Sequence, residues 1–245
     1  HDYKVLQNML AKGDISLAAD YQNCKWDSNC IASLIEFGII NESSLKKLIF
    51  GNKTQQLMTK LSYLFDANTK AGNQKSIHAH YDIGNDFYEL WLDPSMTYSA
   101  ANFNPDDSLE QAQLNKYDNI IQQLPKEPQN ILELGCGWGG FAERCAQTTK
   151  HNITSTTVSK AQYSYAYERL AGTCADLELI DYLDIVGKYD SIVSIEMFET
   201  VGGLYWQAYF NKIKQLLSDN GLAIIQTITI GDQYFAEYRK SGDAI

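Results

Sequence analysis

The stretch Glu133-Leu134-Gly135-Cys136-Gly137-Trp138-Gly139-Gly140 constrains the fold of this chain more than any other. It follows Asn130 to Leu134, which read as a short buried strand, and precedes apolar residues at helical spacing from Phe141 to Thr148. Only glycine lets a backbone turn this tightly and come close to a ligand with no side chain in the way. A strand that turns on glycine straight into a helix is the opening of a βαβ unit.

The rest of the sequence repeats that alternation. Ser108 is placed to cap a helix from Leu109 to Leu124, Ile153 to Val158 is β-branched and strand-like, and Ala161 to Leu170 reads as helical. Short strands are expected at Leu177 to Ile180 and Asp190 to Ile195, a helix at Tyr205 to Leu217, and a strong strand at Leu222 to Ile230. Strands alternating with helices imply an α/β fold with a doubly wound, mostly parallel sheet. Such sheets often continue after a strand like the last one, so the catalytic domain is expected to run on past residue 245. Upstream, Val5, Met9, Ile31, Leu34 and Ile35 recur at helical spacing, and Asp66 to Lys75 is composed like a linker. A small helical domain over 1–70 and a second domain over 71–245 follow from this. The aromatic-rich segment between linker and sheet is expected to form a lid or pocket wall.

Composition narrows the function without naming it. Hydrophobic residues make up 44% of the chain and prolines number 4, which excludes disordered and low-complexity classes. Acidic residues number 30 against 20 basic, a net charge of -10, opposite to the footprint of a nucleic-acid binder. The 5 cysteines are odd in number and form no C-x-x-C pair, so a reducing compartment is expected rather than a disulfide framework. No run has the length of a bilayer-crossing helix, and His1 to Leu10 lacks the order of a signal peptide, pointing to a cytoplasmic protein.

The spacing of Gly135, Gly137 and Gly140 satisfies G-x-G-x-x-G, so a nicotinamide dinucleotide is the first ligand to test. That site needs an acidic residue about 20 positions on to hold ribose hydroxyls. The second strand ends in Thr156-Thr157-Val158-Ser159 without one. S-adenosylmethionine, with a cationic sulfonium and no pyrophosphate, needs the glycine turn but no phosphate cradle. The plain alternative is a turn that only packs helix on strand.

Six blocks, HYDIGNDFYELWLDPSMTYS, LELGCGWGGFAE, TVSKAQ, DYLD, SIEMFETVG and IIQTITI, occur in this order. Together they resemble the cyclopropane fatty acyl phospholipid synthase family, from about His78 to Arg239. Its members are methyltransferases that use S-adenosylmethionine and act on cis double bonds of lipid acyl chains. The resemblance implies a class I methyltransferase fold and a cofactor site built from Glu133 and nine further residues. Tyr98 and Ser99 would lie beside the methionine part, Gly135 and Gly137 along its backbone, and Thr157 and Gln162 near the ribose. Asp181 and Tyr182 would flank the adenine, with Ile195 near the sulfur. Gln162 would supply the ribose hydrogen bonds that an acidic residue supplies elsewhere.

Methyl transfer to an alkene leaves positive charge on the acyl chain, to be stabilised and kept from water. Aromatic faces do both, and His80, Tyr81, Phe87, Tyr88, Trp91, Tyr98, Phe103, Phe198 and Tyr205 are the candidates for that pocket, each also readable as core. Closing a ring then requires a base beside the cation. The resemblance implies a bound bicarbonate gripped by a Glu, a Cys, a His and other groups. Glu199 matches the Glu and Ile228 still offers its backbone, whereas Ala100 stands in place of the Cys and Gln226 in place of the His. Glu196 would share a face with Glu199 if that stretch is helical. The altered anion site leaves bicarbonate use open, and with it a cyclopropane, methyl-branched or methylene product. His78, His80 and Asp82 lack further partners for a metal shell, so no metal is expected.

Unsaturated phospholipid acyl chains are the implied substrate, reached by transient contact with the inner face of the membrane, and a homodimer is left open. A different hydrophobic acceptor, or a lipid-binding relic without turnover, remains as an alternative reading.

Overall fold

The structure is a computed structural model and describes residues 2–41, 44–45, 84–233 and 235. The linker at 66–75 and the candidates His78, His80, Tyr81 and Asp82 lie outside the described residues. The chain divides into two compact units, His1–Thr69 with Ile230–Ile245, and Lys70–Thr229.

In the first unit, helices α1 (Lys4–Lys12), α2 (Asp14–Gln22) and α3 (Ile31–Ile40) follow one another. Asp20 on α2 is buried and would be costly there alone. Lys25 Nζ donates to it at 2.7 Å and Asn8 Nδ2 from α1 at 2.6 Å, which ties the first two helices together. Helix α3, IASLIEFGII, is apolar almost all round, yet none of its residues is buried.

The second unit opens with the short helix α4 (Asn85–Glu89) and then α5 (Leu109–Gln123), β1 (Asn130–Leu134), α6 (Gly140–Thr148), β2 (Asn152–Thr157) and α7 (Lys160–Arg169). Strands β3 (Asp176–Leu179) and β4 (Tyr189–Ile195), helix α8 (Trp206–Leu216) and strand β5 (Leu217–Gln226) complete it. All pairings are parallel, in the order β3-β2-β1-β4-β5. Successive strand residues face opposite sides. Ile131 and Val193 therefore join one core cluster with Phe141 and Ile153, while Leu132, Leu134 and Ile192 join the other with Tyr209 and Leu216. The α5 cap is the expected one, Gln111 N–H donating to Ser108 Oγ.

Most expected boundaries shift by a residue, and three of the changes have a visible cause. The helix expected from Tyr205 to Leu217 is α-helical only from Trp206, because Gly203–Tyr205 forms a tighter 3-10 turn after Gly202, at φ 72°. The strand expected at Leu222 begins at Leu217, since the stretch around Asn220, at φ 65°, bulges out between the pairs Tyr189↔Leu217 and Ser191↔Leu222. That strand also ends at Gln226 rather than Ile230. Its partner β4 stops at Ile195, where Glu196 takes φ 49° and leaves extended geometry.

Candidate active site

The chain order places β1 and β4 side by side with their following helices on opposite faces, so a crevice opens beyond their carboxyl ends. The glycine turn forms its floor. Gly135, Gly137 and Gly139 all take left-handed φ, at 72°, 54° and 84°, and Cys136 N–H donates to Thr156 O at 2.8 Å, pinning the turn to β2. A Cβ on Gly135 would stand 3.2 Å from Met197 Cγ, and one on Gly140 would stand 2.8 Å from Tyr117 Oη. One on Gly137 would meet nothing within 4 Å, because that position faces the cavity.

All ten residues expected at the cofactor line this one cavity. They come from the segment before the sheet (Tyr98, Ser99), from β1 and its glycine turn (Glu133, Gly135, Gly137), from the end of β2 and the helix after it (Thr157, Gln162), and from beyond β3 and the end of β4 (Asp181, Tyr182, Ile195). Thr157 Oγ1 donates to Gln162 Oε1 at 2.9 Å and accepts from Ser159 N–H at 3.1 Å, which fixes the amide of Gln162 at the wall. Asp181 folds its own loop, its Oδ1 accepting from Leu183 N–H at 2.9 Å.

The charge of the lining identifies what the cavity can hold. Among the described lining residues the ionisable acids are Glu133, Asp181 and Glu196, with no Lys, Arg or His beside them. A pyrophosphate would meet these carboxylates, whereas a sulfonium meets complementary charge. Burial pushes the Glu133 carboxyl up to about 7, partly offset by the hydroxyl of Ser155 donating at 2.6 Å. Burial also raises the Cys136 thiol well above its ordinary range, with the Glu133 charge adding to it, so this thiol is not a nucleophile.

Helix α5 anchors the Tyr98–Ser99 segment through one face. Gln113 Nε2 donates to Ser99 O at 2.8 Å, Lys116 Nζ donates to Ser99 Oγ, and Tyr117 Oη pairs with Thr97 Oγ1 at 2.7 Å. Burial lowers Lys116 to about 8, while Glu196 and Asp93 favour its charged form. These anchors were missed in the sequence. Their signal was a polar i, i+3, i+4 set on the core-facing stripe of an amphipathic helix.

Beyond β4, the acids expected to share a helical face separate. The helical turn there is a 3-10 stretch, Phe198–Val201, that excludes Glu196. Glu196 lines the cavity, and its Oε1 accepts from Ala100 N–H at 3.0 Å and from Gln226 Nε2 at 2.9 Å. Its φ of 49° costs a non-glycine residue about 1–2 kcal/mol. Glu199 is exposed, is not part of the cavity lining, and accepts from Ile228 N–H.

The expected substrate pocket is less concentrated. Tyr88 is buried against Trp138 and Tyr98, and Phe87 packs edge-on against Tyr88 and Trp91. Phe198 stacks among Trp206, Tyr209 and Phe210, and Tyr205 packs against the same cluster. None of Phe87, Tyr88, Phe198 and Tyr205 lines the cavity, whose aromatic residues are Tyr98, Tyr117, Trp138, Phe141 and Tyr182.

A five-stranded parallel sheet with its glycine turn after β1 and an acid-lined crevice at the switch point is the fold of class I methyltransferases. Within that class the chain belongs to the mycolic acid cyclopropane synthetase family, whose profile matches residues 68–242. It is similar to the cyclopropane-fatty-acyl-phospholipid synthase of Escherichia coli, 31% identical over 223 residues that cover 91% of this chain and 58% of the relative. It is also similar to the tuberculostearic acid methyltransferase UfaA1 of Mycobacterium tuberculosis, 37% identical over 64% of this chain and 40% of that one. A mycolic acid cyclopropane synthase solved with SAH and CTAB matches with a TM-score of 0.60 and 32% identity, over 62% of this chain and 55% of that chain. The chain thus spans between 40% and 58% of the length of these relatives.

Proposed function

We propose that this protein transfers the methyl group of S-adenosylmethionine to a cis double bond in an unsaturated acyl chain, carried on a phospholipid. The observation that carries this reading is the acid-lined cavity that gathers all ten expected cofactor residues, in a chain of the cyclopropane synthetase family. S-adenosylmethionine, when bound, supplies a methyl on a positively charged sulfur. The glycine turn gives it close backbone approach, Gln162 and Thr157 serve its ribose, and Asp181 and Tyr182 its adenine. Tyr98 and Ser99 hold the amino-acid end, and Ile195 with Glu133 sets an apolar, anionic surround for the sulfonium. Tyr98, 45% exposed and in edge contact with Trp91, stands where the cavity meets solvent and gives an arriving chain an aromatic face. Glu199, by accepting from Ile228 N–H, fastens the segment after β5 beside the site.

The acceptor is a lipid, so the protein works at a membrane face, although no helix among the described residues is long and apolar enough to cross a bilayer. Incubation with S-adenosylmethionine and vesicles of cis-unsaturated phospholipid, followed by lipid mass spectrometry, tests the reading. A gain of one methylene unit per modified chain is expected. Binding of S-adenosylhomocysteine with no mass gain would remove the lipid and leave another hydrophobic acceptor.

A further inference from the structure

The cavity holds a carboxylate that nothing in cofactor binding uses. Glu196 leaves β4 in a left-handed conformation, and its side chain is gripped rather than solvated. Two donors from separate parts of the chain, the Ala100 backbone and the Gln226 amide, converge on one oxygen, Oε1. Glu196 and Gln226 also pair through their backbones, Glu196 N–H donating to Gln226 O at 2.9 Å. Lys116, beneath Ser99, lies close enough for its charge to interact with that of Glu196. The grip fixes the orientation of the carboxylate through Oε1 and leaves its second oxygen as the atom to accept a proton.

The other carboxylates are worse placed. Glu133 is buried under the glycine turn and held by Ser155, Asp181 folds its own loop, and Glu199 is committed to Ile228 outside the lining. Glu196 stands between Ile195 and Met197 in the cavity lining, where Met197 packs over Gly135.

We propose that Glu196 is the proton acceptor of the reaction, a resident carboxylate occupying the corner where an external bicarbonate was expected; this rests on the lipid methyl-transfer reading. An alkene carbon bonds to the methyl, the methyl–sulfur bond breaks with its electron pair going to sulfur, and the neighbouring alkene carbon becomes cationic. Glu196 takes a proton from the added methyl, and the freed C–H pair closes a ring onto the cationic carbon. If a hydride first shifts from the methyl-bearing carbon to the cationic one, loss of a proton from the methyl gives a methylene branch on the open chain. In either case the carboxylic acid formed returns its proton to water. Ala100 and Gln226 then make sense together: a thiol and an imidazole are not needed to grip an anion that the chain itself carries.

The test uses the native protein, Glu196→Gln and Glu196→Gly. Gln keeps an acceptor for Ala100 and Gln226 but cannot take the proton, and Gly relieves the left-handed backbone while emptying the corner. S-adenosylhomocysteine affinity by calorimetry checks that each variant keeps the site, and unchanged affinity is expected. In carbonate-depleted buffer with unsaturated phospholipid vesicles, the native protein is expected to turn over fully and Glu196→Gln to fall by about a hundredfold or more. Cofactor-free protein is then titrated into carbon-13 bicarbonate. The Gly variant is expected to broaden its NMR signal and the native protein to leave it sharp, and added bicarbonate is expected to restore part of the turnover of the Gly variant. Native turnover that needs bicarbonate, native broadening of the signal, or a Gln variant as fast as native would each overturn the assignment. A native protein that adds no methylene unit to lipid removes the substrate reading instead, and the bicarbonate titration still decides the role of Glu196.

Discussion

A single residue, Glu133, sets the charge of the cofactor site near neutral pH. Strand alternation turns its side chain to the face opposite Leu132 and Leu134, where it is itself buried, and burial pushes its carboxyl up to about 7. Below 4.5 the carboxyl is neutral in the folded and unfolded chains alike; between 4.5 and about 7 the unfolded carboxyl has lost its proton and the folded one keeps it. Stability therefore falls as pH rises through that window and stays lowered above it. Glu133→Gln is expected to remove this slope, so that thermal melts of native and variant diverge steadily between those two pH values, the variant gaining. A positively charged ligand favours the ionised form, so cofactor binding near pH 7 is expected to release a proton from the native protein and not from the variant. Calorimetry in buffers of different ionisation enthalpy reads that proton directly, and equal release by both proteins would contradict the assignment.

At the scale of elements, helix α5 is the part that makes the Tyr98–Ser99 segment rigid. Lys116→Met keeps the buried stem and removes the donor to Ser99 Oγ. A hydrogen bond from a charged group is worth about 1.5–3 kcal/mol, so S-adenosylhomocysteine affinity is expected to fall by about tenfold while circular dichroism stays native. Affinity equal to native would show that Gln113 and Tyr117 suffice. The elements themselves were legible because each follows local rules: β1 was read to the residue from its apolar run and the glycines after it, and α5 from its Ser108 cap. Most residues of the cavity lining were legible because they sit at or just beyond strand ends, where sequence position fixes spatial position. The grip on Glu196 was not, because it joins a loop before α5, the end of β4 and the end of β5, distant in sequence and linked by a left-handed residue that no periodicity announces. The aromatic residues misled for the opposite reason: Phe198 and Tyr205 are as suitable for packing under α8 as for a pocket, and packing took them.

At the scale of the whole molecule, the acidic charge runs against the proposed substrate, a lipid in a membrane. A protein at a net charge of -10 is repelled by anionic headgroups, and each basic residue that could offset this is outweighed by acids, 30 against 20. Contact with lipid must then come from apolar surface. In the first unit, α3 exposes Ile35, Phe37, Ile39 and Ile40, and α1 exposes Leu6 and Leu10, with Glu36 the one charged residue on α3. Burying apolar side chains is insensitive to salt, whereas repulsion is screened within about 10 Å at 0.1 M ionic strength. Association with neutral phosphatidylcholine vesicles is accordingly expected to be constant as salt rises, and association with anionic vesicles to be weak at low salt and to strengthen with it. Ile39→Asp with Ile40→Asp is expected to weaken both while leaving S-adenosylhomocysteine binding intact, because these residues lie in a different unit from the cofactor cavity. Vesicle co-sedimentation across a salt series makes the measurement, and binding to anionic vesicles that weakens with salt would mean that a local basic patch, not apolar surface, carries the protein to its substrate.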